Sequence, residues 1–532
     1  MHVNRLNACA LFLAAQSFTI SSGVLAGHSQ ELGGLKSMIS ARALCLALAL
    51  PLLAAGLSQA ARQTENSAVD RIFAEFTKPG SPGCALGVYR DGKIIYAKGY
   101  GLANLEQNVP ITPETVFDIG STSKQFTAAS ILLLEKQGKL SVHDDIRKFI
   151  PEIPGYGTPI TILNLLNHTS GLRDYLTLFG LAGINLDGVT TDDDALAIIA
   201  RQKKLNFAPG SEYLYSNSGY FLLSVIVKRA SGKSLRDFAQ ENIFTPLGMA
   251  HTQYRADHTA LIPNRALAYD VRDDGSYALD VSYFEQTGDG AVHTTIEDLQ
   301  RWDENFYSAQ IGGKDFLAEL QEKGILTSGK TIDYAKGLGV SEYRGLRAVS
   351  HGGSWGGYRA QLLRFPDQHF SVACLCNLDH SDTTALARGV AEVYLAAQFK
   401  PQEPQNASQP AAAADSAPSM AGSLKLSAAE LEAYAGDYWS DELRVTYRLA
   451  PRDGHLVVSK VIGADLLSHS AAITRREFLS IADDEFKSNR GQLVLHFTRD
   501  ANRQISGFLL DAGRTLGMAF ARSGAHAPAS SR

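Results

Sequence analysis

The sequence predicts an α+β domain, an antiparallel sheet flanked by helices, followed by a small all-β, barrel-like domain. Three observations predict it. Alternating β-rich runs cluster at both ends of residues 61–400 with helical periodicity between them. Residues 401–424 are Pro, Ala, Ser and Gln with almost no large apolar side chain, and so read as a linker. Residues 425–522 alternate short β-rich runs with polar turns. The 532 residues are 45% hydrophobic and 20% charged, an ordinary globular composition that suffices for a large core. A formal charge of −5 supplies no basic field for nucleic acid, which is excluded as a partner.

In chain order, residues 1–60 form a signal or targeting region. Arg42 precedes an apolar run from Ala43 to Leu57, and Ser58-Gln59-Ala60 is a small-x-small cleavage pattern before Ala61, with Met38 where translation of such a peptide would begin. The apolar run is about 15 residues, short of the roughly 20 that span a bilayer, so no stable membrane span is expected after cleavage. The expected location is periplasmic or secreted. Five Cys in so long a chain predict no disulfide framework, and the absence of C-x-x-C and H-E-x-x-H predicts no metal site. Cys84, Cys374 and Cys376 read as small buried hydrophobes, the last two on one face of a strand.

Residues 83–90 and 93–100 flank Asp91-Gly92, a two-residue hairpin signal. Helices are expected over 126–137, 220–231 and 234–244, the first two stopped by Gly138 and Gly232, and Thr294-Thr295-Ile296-Glu297 predicts a capping box for a helix containing Trp302. Residues 345–351, 358–365 and 369–377 read as successive antiparallel strands, the last two joined at Pro366-Asp367. The linker separates residues 61–400, expected to fold alone, from the barrel of residues 425–522, and residues 523–532 are expected to be a disordered tail.

Three segments carry chemistry. Ser121 and Lys124 stand at i and i+3 in the first turn of a helix, on one face, and a lysine whose pKa is lowered can take the proton of a neighbouring hydroxyl. Taken alone, a capping Ser with a solvated Lys reads equally. Tyr215 and Asn217 share one side of an extended stretch before a helix, offering a phenol and an amide, although a packed Tyr with an Asx turn would look the same. His351-Gly352-Gly353-Ser354 ends a strand in glycines that let backbone approach a ligand, or a tight loop between edge strands. Gly352-Gly353-Ser354-Trp355-Gly356 also matches the G-x-S-x-G elbow, but that motif needs a helix next, and residues 358–365 alternate like a strand.

In this order and at these spacings the three segments resemble the serine β-lactamase class C and penicillin-binding-protein family: S-x-x-K, Y-x-N, then a [KH]-x-G strand. Asn167–Leu172, Asp144–Ile146 and Gly290–Val292 resemble it too, over roughly residues 68–398. The resemblance implies that fold, with Ser121 as acylated nucleophile, Lys124 as its base, and Tyr215 as acid-base group. It implies Asn217, His351, Gly353 and Ser354 on the substrate, with the Ser121 and Ser354 amides as oxyanion hole. His351 stands where β-lactamases carry Lys and resembles the D-aminopeptidase, D-esterase and carboxylesterase branch; as a protonated group it would grip a substrate carboxylate. The resemblance thus implies an exported serine hydrolase using an acyl-enzyme on amide, peptide or ester bonds beside D-amino acids, of D-aminopeptidase or D-alanyl-D-alanine carboxypeptidase type. Carboxylesterase or weak β-lactamase activity on the same scaffold is the alternative, and a non-catalytic wall- or ligand-binding protein the rival. Small peptides, amides or esters, including peptidoglycan fragments, are the implied substrates, and no metal or organic cofactor is called for.

Overall fold

The first hairpin forms as its turn dictates: Asp91 and Gly92 both take positive φ, 52° and 71°, between β1 (Cys84–Arg90) and β2 (Lys93–Tyr100). A computed structural model describes residues 63–186, 188–401, 424–463, 472–489 and 493–523. The expected signal segment, nearly all of the linker and all but the first residue of the tail lie outside the described residues.

Four strands from the far end of the first domain join that hairpin: β3 (Gly339–Tyr343), β4 (Leu346–Trp355), β5 (Tyr358–Phe365) and β6 (Phe370–Cys376). The order is β3-β4-β5-β6-β1-β2, antiparallel throughout, so both chain ends build one sheet. Alternate side chains feed two cores. Ala85, Tyr89, Ala373 and Leu375 face α3 (Ile296–Ser308) and join the core that also holds α1 (Lys124–Lys136) and α2 (Asn217–Ser231), while Leu86, Val88, Val372 and Cys374 face α4 (Thr383–Leu395).

Gly138 and Gly232 follow α1 and α2 with φ of 70° and 75°, the left-handed stop that a glycine allows. Helix α3 starts one residue later than its sequence suggests. Thr294 is still a strand residue paired with Phe117, so Thr295 becomes the cap and accepts from the Asp298 amide at 3.1 Å. The 234–244 helix breaks in two, an α-helical Leu235–Ala239 running into a π turn over Gln240–Phe244.

The cysteines depart from expectation. The β1–β6 register sets Cys84 directly opposite Cys376, and the two form a disulfide; Cys374 stays a buried thiol 3.7 Å from the Cys376 sulfur. Spacing along a chain cannot reveal a register between strands about 290 residues apart.

The second domain is a closed barrel of eight strands, β7 (Gly436–Ser440), β8 (Val445–Arg452), β9 (His455–Gly463), β10 (Glu477–Ala482), β11 (Glu485–Ser488), β12 (Leu493–Arg499), β13 (Ile505–Ala512) and β14 (Thr515–Arg522). Its interior is packed with rings, among them Tyr438, Tyr447, Phe486, Phe508 and Phe520. Ala68–Arg532 clusters as one unit, so the linker does not leave the barrel apart. Fully buried Arg173 donates to Glu442 of the barrel at 3.0 Å and to the carbonyls of Leu516 and Gly517, and the Tyr447 hydroxyl donates to the Leu181 carbonyl at 2.6 Å.

Candidate active site

A three-stranded ribbon, Phe117–Asp118, Val292–Thr294 and Gln253–Tyr254, delivers the chain to a tight 3₁₀ turn over Gly120–Ser123, which runs into α1. Ser121 lies in that turn and Lys124 is the first residue of the helix. Strand β4 packs closely against the turn, backbone to backbone. A Cβ on Gly353 would stand 1.9 Å from the Ile119 carbonyl oxygen, and one on Gly120, which has φ of 48°, would stand 2.7 Å from the Ser354 amide. Pairing of β3 with β4 ends at Gly339–Ser350, so the outer edge of β4 beyond it is free to border the cleft. Ser121, Gly353 and Ser354 therefore meet at one wall of a cavity of about 580 Å³, where their amides can hold a developing oxyanion. Ser354 is followed by the Gly356-Gly357 hairpin and β5, not by a helix.

Lys124 is buried and makes three contacts. Its Nζ donates to the Asn217 side-chain oxygen at 2.9 Å and to the Asp289 carbonyl at 2.6 Å, and lies 2.9 Å from Ser121 Oγ. Burial pulls its pKa down to about 7 against the opposing carboxylates of Asp289 and Asp174, with the Arg514 cation adding to the lowering. In the neutral amine, two N–H groups are occupied by Asn217 and Asp289, and the lone pair is left facing the Ser121 hydroxyl. That is the geometry of a general base.

Asn217 opens α2 because Ser216 is still extended and Asp174 accepts the Asn217 amide at 2.7 Å. Tyr215 comes just before it, its ring 5.0 Å from Lys124 Nζ. Burial raises its phenol above the usual value, the adjacent Ser121 hydroxyl pulling the other way, so at neutral pH it is a proton donor. The buried Tyr215 oxygen makes no hydrogen bond among the described residues.

His351 departs from its expected role. It lines the cavity but is buried, its Nδ1 2.6 Å from the Gly352 carbonyl and its Nε2 3.1 Å from the Tyr334 hydroxyl. The Gly352 carbonyl can only accept, so Nδ1 carries a proton, and in the neutral ring Nε2 accepts from the Tyr334 hydroxyl. Burial, reinforced by Lys124, takes its pKa down to about 4. At that value the ring is uncharged near pH 7 and offers a carboxylate no cation.

With this geometry, a family model for beta-lactamase matches residues 69–395. The chain belongs to the β-lactamase family. Among the relatives of this β-lactamase-family chain, penicillin-binding protein 4* of Bacillus subtilis (strain 168) is 34% identical over 311 residues, 54% of this chain and 66% of that protein. The D-aminopeptidase of Gluconobacter oxydans (strain 621H) is 29% identical over 346 residues, 64% of this chain and 63% of the other. The chain thus spans under two thirds of the length of these curated relatives. The structure of the octameric penicillin-binding protein homologue from Pyrococcus abyssi superposes with a TM-score of 0.57 at 22% identity, over 86% of this chain and 99% of that one. D-amino acid amidase from Ochrobactrum anthropi SV3 does so at 0.53 and 22%, over 63% and 99%. At those identities the likeness is one of fold.

The β-lactamase-family site holds three groups that its motifs do not mark. Asp289 sits between Gly288 and Gly290, next to Gly290-Ala291-Val292, and that flanking pair of glycines is the one local signal for it. Asp174 holds the start of α2. Arg514 reaches the cavity from the barrel, and nothing in its local sequence announces this.

Proposed function

We propose that the protein is an exported serine hydrolase that acylates Ser121 and cleaves amide bonds beside D-configured residues, as D-aminopeptidases or D-alanyl-D-alanine carboxypeptidases do. The observation that carries it is the buried Lys124 amine aimed at Ser121 Oγ with its other hydrogens occupied. Lys124 takes the Ser121 proton as the Ser121 oxygen bonds to the substrate carbonyl carbon, and the Ser121 and Ser354 amides hold the oxyanion. The carbon–nitrogen bond then breaks, the Tyr215 phenol gives its proton to the leaving nitrogen, and the Lys124 ammonium replaces it. Water hydrolyses the ester by the reverse proton path, returning free Ser121 and an acid.

The names of the relatives support the D-configured class. Export is supported by the targeting pattern of residues 38–60 and by the Cys84–Cys376 disulfide, a bond that persists in oxidising compartments. Peptidoglycan fragments are the substrates that such a location would offer.

The test is labelling and stereochemistry together. A fluorophosphonate should label the wild type and Ser354→Ala but not Ser121→Ala, and D-amino-acid amides should be hydrolysed in preference to their L-enantiomers. Labelling that survives in Ser121→Ala would end the mechanism; equal rates on both enantiomers would end the substrate class.

A further inference from the structure

One of the cations bordering the cleft comes from the other domain. Arg514 follows Gly513, φ 56°, in the turn between β13 and β14, and its guanidinium lies 4.7 Å from the centre of the Tyr215 ring and 3.9 Å from Asp174 Oδ2. The turn is mounted, not loose. Asn206 donates to the Arg514 carbonyl at 3.0 Å and accepts from the Leu516 amide at 2.8 Å, Arg173 grips the Leu516 and Gly517 carbonyls, and Asp511 accepts the Gly517 amide at 2.7 Å.

The guanidinium is held only by a long ion pair, 3.9 Å from the buried Asp174 carboxylate, and by the face of the Tyr215 ring. The Arg514 side chain is 46% exposed, and no protein acceptor lies within hydrogen-bond range of it among the described residues. Asp174 beside it already accepts the amides of Asn217 at 2.7 Å and Thr177 at 3.2 Å. The other cavity arginines are tied to backbone: Arg255 donates to the carbonyls of Ser282 and His258, and Arg359 to those of Gly356 and Tyr358. Lys124 is fully engaged and both His351 nitrogens are occupied. A half-exposed fork of donors held over a cleft fits a planar anion.

Resting on the serine-hydrolase reading above, we infer that Arg514 binds a carboxylate on the leaving group, so that the barrel directs the hydrolase domain to peptides that release a C-terminal amino acid. The side is set by Tyr215. Its ring carries Arg514 and, in the mechanism proposed above, its phenol protonates the leaving nitrogen, so anchor and leaving group would share one wall of the cleft.

The experiment compares N-acetyl-D-alanyl-D-alanine with its C-terminal carboxamide in the full chain. Wild type should favour the carboxylate by about 10- to 100-fold in kcat/KM, mostly through KM, as for a hydrogen bond to a charged group. Arg514→Gln should bring that ratio to about one, and Arg514→Lys, which keeps the charge without the fork, should fall between. Arg514→Glu should favour a substrate whose carboxylate is replaced by a primary ammonium. A wild-type ratio of one, a ratio kept in Arg514→Gln, or a Lys variant as low as Gln would overturn the assignment. The last would place the effect in the shape of the turn. If Arg514 only tunes Lys124 and Tyr215, both substrates lose rate alike while the ratio stands, and the inference fails. A ratio of one with turnover that vanishes in Ser121→Ala sinks this inference alone; turnover surviving in Ser121→Ala sinks the hydrolase reading.

Discussion

The two walls of the cleft are built on opposite terms. On the hydrolase side, Lys124 and Asn217 are buried and every polar hydrogen of the Lys124 amine is assigned. On the barrel side, Arg514 stands half in solvent, with a long ion pair to Asp174 and no hydrogen bond from its guanidinium among the described residues. Desolvation lowers a lysine from its ordinary value to where it can exchange protons, and that needs a dry, fully satisfied pocket. Recognition needs the reverse: a cation kept charged by water and free to exchange that water for a ligand. The contrast teaches that chemistry and selection occupy different domains, joined through the dipeptide Arg173-Asp174. The Arg173 side chain holds the barrel turn, and the Asp174 side chain holds the start of the helix that carries Asn217.

The largest effect should come from breaking the buried wall. Lys124→Met removes the base while keeping an apolar body of similar length, and kcat/KM for amides should fall about 10³-fold, in the range of general-base loss. The pH profile should change with it. With the base at about 7, wild-type kcat/KM rises with pH as the amine loses its proton and levels above that value; the variant should lose this acid limb. A Lys124→Met enzyme that keeps rate and limb would assign the base elsewhere.

A smaller effect is expected at the joint. Arg173→Met leaves the Glu442 carboxylate buried with only the Lys203 amide to bond it, and removing one member of a buried pair costs about 3–5 kcal/mol. Thermal unfolding should show the loss, and the carboxylate preference should fall with it as the turn that carries Arg514 loses its grip. The exposed Lys203–Asp441 pair close by is the control, and Lys203→Ala should hardly move Tm. Equal effects of the two variants would mean the joint contributes nothing by being buried.

The legibility of the sequence divides along the same line. Ser121, Lys124, Tyr215 and Asn217 stand out through the order and spacing of their segments and the resemblance these carry, each segment alone reading as well as a cap or a packed Tyr, and the structure brings the four side chains together. The sheet is readable from its period-2 runs, the first hairpin from Asp91-Gly92. Three things are not readable, all for one reason. The Cys84–Cys376 bond depends on a register between distant strands, the seating of Arg514 on a turn about 300 residues from Tyr215, and the neutrality of His351 on Tyr334 and on burial. Each is a fact of tertiary contact. His351 is also misleading in itself, since a histidine in the place of a lysine suggests a weaker cation, whereas the fold makes it none.

The smallest expected effect separates the two candidate cations directly. The sequence points to His351 for a substrate carboxylate and the fold to Arg514, and the two answer differently to pH. Had His351 kept an ordinary pKa near 6.5, its charge would grow as pH falls from 8 to 5, and the preference for N-acetyl-D-alanyl-D-alanine over its carboxamide would rise about tenfold across that range. With the ring down at about 4, its charged fraction stays minor throughout, while Arg514 is charged at every point and the substrate carboxylate is ionised. Protonation of Lys124 slows both substrates and cancels in the ratio. The ratio should therefore stay constant within about twofold from pH 5 to 8. Stopped assays at five pH values on both substrates suffice to measure it. A ratio that climbs as pH falls through 6.5 would return the clamp to His351, and would mean that the ring is less enclosed in the working enzyme than its contacts with Tyr334 and Gly352 make it.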